Sequence, residues 1–188
     1  MSGPDLESIF DRTEDYLLEH GLEIRFSDSA AARAARVAAG FPWFMHLLGQ
    51  TALIDAHRRG ARGVSESDIA AALQSLPRRR LAKQFNDRYM LAVKDSYARE
   101  LVLRLFAEWK DEDVPTSEIY KRATSLGVTG PSTYAGHLAR EQCGSVIARS
   151  PQQGRLYRFT DEMFKAYVRM RGSVYEGVAD LVKGSFSS

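Results

Sequence analysis

Apolar residues recur at the three- and four-residue intervals of an α-helix along almost the whole chain. Strand-like runs occur only as one pair, on either side of Ser150-Pro151-Gln152-Gln153-Gly154. A chain patterned in this way is expected to fold as a mainly α protein carrying a single two-stranded hairpin. Its 188 residues suffice for one generous core or two small ones, and a hydrophobic share of 44% supplies the apolar surface to bury.

The first half predicts four short helices over residues 5–76. Asp5 to His20 carries Leu6, Ile9, Phe10, Tyr16 and Leu17 at helical spacing, with Gly21 as a stop. Ser27-Asp28-Ser29 offers N-cap side chains to the alanine-rich run Ala30 to Ala39, which Gly40 closes. Pro42 suits the first turn of a third helix bearing Trp43, Phe44, Leu47, Leu48, Ala52, Leu53 and Ala56. Ser65 and Asp68 are placed for a capping-box arrangement before Ile69 to Leu76, and Pro77 ends that helix.

Residues 77–94 are expected as a connecting helix, with Leu81, Phe85, Tyr89 and Ala92 along one side. A second core follows over residues 95–171. Tyr97 to Trp109 is strongly amphipathic, Pro115 to Glu118 opens a helix that Gly127 ends, and another runs from Ser132 to Gln142. Val146 to Arg149 and Arg155 to Phe159 are the two strands, and Asp161 caps a last helix. Residues 172–188 are expected as a weakly structured C-terminal tail.

Two helices, a short turn, a third helix and a hairpin make the order of a winged helix-turn-helix. On its third helix Tyr134, Ala135 and Leu138 are expected inward. Ser132, Thr133, Gly136, His137 and Arg140 are expected outward as a reading face, joined by Arg149, Gln152, Gln153, Arg155 and Arg158 of the hairpin. Arginine and glutamine donate to phosphates and base edges, and a glycine permits close approach, so this set suits a DNA groove. Such folds also serve as protein-interaction modules or spacers, and an arginine-rich edge strand also protects against aggregation. Bulk charge does not choose between these: 26 Lys and Arg against 24 Asp and Glu leave a formal +2.

Three stretches carry a family resemblance. The run AAARAARVAAGFPWFMHLLGQTAL, from Ala30, resembles the lid helices of AAA+ and STAND-type ATPases, in which an alanine-rich helix leads through a Gly-x-Pro turn into an apolar one. GVSESDIAAAL, from Gly63, is similar to the next lid helix. FNDRYMLAVKDSYARELVLRLFAEW, TSEIYKRA, the hairpin and RFTDEMFKAYVRMR look like the winged helix that follows the lid in archaeal STAND-type and replication-initiator ATPases. The resemblance implies a lid-like four-helix bundle followed by a winged helix-turn-helix. It also implies a partner: an ATPase core domain in cis, or another protein. The chain holds no G-x-x-x-x-G-K-[ST] phosphate loop, and the Gly-x-Pro turn bears Phe41 and Trp43 where relatives carry a phosphate-sensing arginine, a position Arg33 and Arg36 do not fill.

The expected role is therefore a non-catalytic module binding duplex DNA. The alternative is a regulatory module that packs on an ATPase core or effector. No cofactor or metal is expected, because His20, His46, His57 and His137 are scattered and Cys143 stands alone. His46 reads as a packed core histidine and Cys143 as a small core residue. The acidic run Glu108, Asp111, Glu112 and Asp113 reads as a solvated turn, and Arg78-Arg79-Arg80 as a linker surface. With neither a spanning segment nor a secretion signal in view, no membrane partner and a cytoplasmic location are expected.

Overall fold

The computed structural model describes residues 3–151 and 154–186 and is mainly helical, in two compact units, residues 1–81 and 82–188. In the first unit four helices pack together: α1 (Gly3–Glu19), α2 (Asp28–Ala38), α3 (Pro42–Arg58) and α4 (Glu66–Ser75). Small side chains set the spacing. Ala30, Ala34 and Ala38 recur every four residues on the buried face of α2, so its backbone comes close to its neighbours. At Gly49 of α3 the approach is closer still, because a Cβ there would lie 2.4 Å from the Phe10 ring of α1. Ser27 accepts a hydrogen bond from the Ala30 amide at 3.2 Å, and the Asp68 carboxylate accepts from the Ser65 amide at 2.8 Å, which fixes where α2 and α4 begin.

Two features of this unit depart from the sequence-based expectation. Strands β1 (Arg25–Phe26) and β2 (Gly63–Val64) pair in parallel and fasten the segments that lead into α2 and α4. Two residues are too few to show an alternating pattern. His46 is exposed rather than packed in the core, on the one side of α3 that its neighbours leave uncovered.

The second unit is built around α6 (Tyr97–Glu108), whose residues from Glu100 to Ala107 are all buried. Packed against it are α5 (Lys83–Val93), α7 (Thr116–Ser125), α8 (Pro131–Leu138), α9 (Glu162–Met170) and α10 (Val178–Gly184). A helix enclosed on all sides must satisfy its polar groups internally. Glu100 does so by accepting from the Tyr89 hydroxyl, from Arg104 Nε at 3.2 Å and from the amides of Val174 and Tyr175 at 2.8 and 3.0 Å. Arg104 spends its other donors on the carbonyls of Val168 and Arg171. At the C-terminal end of α6, Arg169 donates to the carbonyls of Ala107 and Trp109, and Lys165 to that of Asp111 at 3.0 Å. These two cations of α9 thus answer the negative end of the α6 dipole.

Strands β3 (Val114–Pro115), β4 (Ile147–Arg149) and β5 (Leu156–Phe159) form an antiparallel sheet in the order β3-β5-β4. The expected two-stranded hairpin is β4 with β5, and β3 adds a third strand on the far side of β5; with its edge proline, β3 gave no strand-like signal. Ile147, Tyr157 and Phe159 face the core, and Tyr157 meets Phe106 of α6 edge to face at 5.9 Å.

Residues 77–94 do not form a single connecting helix. Two 3-10 turns, Leu76–Arg78 and Arg80–Ala82, precede α5, and α5 buries Phe85, Tyr89, Ala92 and Val93 within the second unit. Nor is the segment after residue 172 weakly structured throughout: α10 lies in it and buries Val178 and Val182. Among the described residues no helix is long and apolar enough to cross a membrane.

Candidate nucleic-acid interface

The candidate surface starts at α8. Gly130 takes a left-handed conformation (φ 63°, ψ 51°) just before the helix, and Pro131, with its fixed φ, occupies the first turn. Ala135 and Leu138 are buried, which turns Ser132 and Thr133 outward. Tyr134, expected in the core, is only half-buried and meets His137 edge to face at 6.2 Å. Gly136 is half-buried, yet a Cβ added there meets nothing within 4 Å, so the space above this part of the helix is open.

Arg140 is not on this helix. α8 stops at Leu138, and the backbone at Arg140 is extended (φ −89°, ψ 150°) before a 3-10 turn, Glu141–Cys143. The Val146 amide donates to the Leu138 carbonyl, so the chain has already turned toward the sheet where the helical reading carried it on to Gln142. Arg140 nevertheless stays exposed.

The hairpin arginines separate. Arg149 lies opposite Tyr157 and Ala148 opposite Arg158, so strand alternation sends Arg149 and Arg158 to opposite faces of the sheet. Arg149 donates to the Gly154 carbonyl at 3.4 Å at the exposed end of β4. Arg158 pairs with Glu112 at 3.3 Å, in a shallow concavity of about 360 Å³ that also holds Asp161 and Glu162. Arg158 is thus already engaged by a carboxylate and does not belong with the other arginines. Arg155 is exposed, and its carbonyl accepts from the Thr116 hydroxyl at 3.0 Å, which ties the strand to the start of α7. Gln152 and Gln153 lie outside the described residues.

One residue of this surface escaped the sequence reading. Tyr120 of α7, which that reading did not place here, is half-buried; burial raises its phenol pKa, the nearby Tyr157 raises it further, and Arg149 opposes both. Periodicity places such a tyrosine on the apolar side of its helix but does not reveal that Arg149 lies near enough to act on it.

Comparison with known protein families, curated proteins and solved structures finds no match. The chemistry of the site therefore rests on its own geometry. Among the described residues no three His, Cys, Asp or Glu side chains cluster in a way that would hold a metal ion. Cys143 is buried with Arg99 Nη1 3.4 Å from its sulfur. In the first unit Arg33 pairs with Glu66 at 2.8 Å and Arg79 with Asp55 at 2.7 Å, while Arg36, Arg78 and Arg80 are exposed.

Proposed function

We propose that residues 82–188 act as a winged helix-turn-helix that binds duplex DNA. In this reading residues 1–81 are a lid-like bundle, and the whole is a non-catalytic module of an AAA+ or STAND-type ATPase working in the cytoplasm. The order α6, β3, α7, α8, β4, β5 supports the winged-helix reading. The observation that carries it is the outer face of α8: two exposed hydroxyl residues, Ser132 and Thr133, beside open space over Gly136. Arg140, Arg149 and Arg155 supply phosphate donors nearby in sequence, with Arg158 set aside for Glu112.

Fluorescence anisotropy of labelled duplex DNA across a salt series tests this reading, with the intact chain set against an Arg140→Ala, Arg155→Ala variant. Affinity should fall steeply with salt, and the variant should bind more weakly with a slope reduced by about two, one for each lost phosphate contact. Absence of binding at low salt, or indifference to both arginines, removes the assignment. A second reading, a protein-interaction module, draws on a separate observation: Tyr16, Leu18, Leu22 and Ile54 of the first unit are exposed.

A further inference from the structure

Residues 5–23 hold seven aspartates and glutamates against one arginine, Arg12, so the near-neutral chain hides a strongly acidic first helix. On that helix Leu18 is 53% exposed, and Leu22 just beyond it 39%. Both line two adjoining concave surfaces that share Glu23, Ile24 and Arg62 and measure about 420 and 410 Å³. Asp11, Asp15 and Leu18 are spaced at i, i+4 and i+7, and Asp11, Asp15 and Glu19 are exposed. On the α1 side the aliphatic patch is therefore edged by carboxylates, while Arg25 and Arg62 line the wall away from that helix.

We propose that this face of α1 docks a basic amphipathic helix of a partner protein. Its apolar side would rest on Leu18 and Leu22, with lysines or arginines turned toward Asp11, Asp15 and Glu19. Charge decides against a second copy of the chain presenting the same face, since symmetric pairing would set one acidic helix against another. Hydrogen bonding decides against an added strand. The Arg25 and Ser27 amides already donate to the carbonyls of Arg62 and Val64, and the Phe26 amide, which points the other way, is taken by the Glu14 carboxylate. A groove with two exposed leucines, its strand edge closed and its α1 side acidic suits a helix presenting i, i+3, i+4 anchors with its cationic flank on that side, away from Arg25 and Arg62. The inference does not rest on the DNA reading.

The probe is a synthetic helical peptide with leucines on one side and lysines on the other, fluorescently labelled and titrated with the intact chain. Its counterpart with glutamate for lysine is the control. The lysine peptide should bind with an affinity that falls as salt rises, and the glutamate peptide should not bind. Leu18→Ser with Leu22→Ser should weaken binding about tenfold or more, since the centre of such an interface carries most of its energy. Both leucines are substantially exposed, so an unchanged circular dichroism spectrum should accompany the loss. Asp11→Asn with Asp15→Asn should weaken binding and flatten its salt dependence, and it carries the test should the leucine variant fail to fold. Equal binding of both peptides, no binding of either, or binding unmoved by these substitutions overturns the proposal. So does sedimentation showing self-association that the leucine substitutions abolish, which would make the occupant a second copy.

Discussion

Arg104 Nε lies 3.2 Å from Glu100 Oε1, and both side chains are buried. Among the described residues each makes its ion pair with the other, and both also hold backbone: Glu100 the amides of Val174 and Tyr175, Arg104 the carbonyls of Val168 and Arg171. Glu100→Gln or Arg104→Met leaves the remaining charge buried and uncompensated. Either should cost about 3–5 kcal/mol in urea unfolding of the intact chain. A change under about 1 kcal/mol, the range of an exposed surface pair, would show that the pair does not hold the α6 surroundings together.

Gly49→Ala places a methyl against the Phe10 ring, at 2.4 Å before any adjustment. The helix gains intrinsic propensity, but the closeness of α1 and α3 outweighs it, and the net effect should be a destabilisation of about 1–3 kcal/mol by overpacking. Phe10→Leu in the same chain should recover part of that loss, a rescue readable in paired thermal melts.

Gly136→Ala predicts the opposite sign. Open space surrounds this helical position, so alanine should stabilise the fold by about 0.5–1 kcal/mol. If α8 approaches DNA as proposed, the same methyl stands between helix and groove, and affinity in the anisotropy assay should drop while stability rises. Unchanged affinity would place the docking surface elsewhere.

Asp68 supplies a pH dependence. Burial by itself would raise its pKa, but hydrogen bonds from the Ser65 amide and hydroxyl, together with Arg59, outweigh that and hold the carboxyl below the usual carboxylate value. Because the folded state lowers the pKa, the contribution is complete above about pH 5. It fades as pH falls through the ordinary aspartate value near 3.9 and toward the folded one. Asp68→Asn should cost about 1 kcal/mol at neutral pH, and the gap from the unchanged chain should close on acidification. A gap that stays constant from pH 7 to pH 3 would exclude the charged cap.

How much of this was legible in the sequence depended on the length of each signal. Apolar periods over ten or more residues marked α1, α3 and α6, and Ser27, Ser65 and Asp161 announced the starts of α2, α4 and α9. Pairings of two residues, β1 with β2 and β3 with β5, are decided by what lies across the fold. The end of α8 was misread because Ala139 and Arg140 are good helix formers, and only the return of Val146 to Leu138 stops them. Within the candidate surface, composition proposed five arginine and glutamine positions on the hairpin. Strand parity and Glu112, both tertiary facts, then removed Arg158 from its company. Burial likewise did not follow from hydrophobic neighbours, as exposed His46 shows.

The clasp of α9 on the end of α6 bears on how small this protein can be made. Every residue of the proposed reading surface precedes residue 160, so a version trimmed to that surface would keep all its chemistry. It would also discard Lys165 and Arg169, strand the carbonyls of Ala107, Trp109 and Asp111, and uncover the side of α6 that α10 shields. The proposed recognition elements thus borrow their rigidity from a stretch of chain outside the proposed surface, and trimming by apparent relevance would sever the loan.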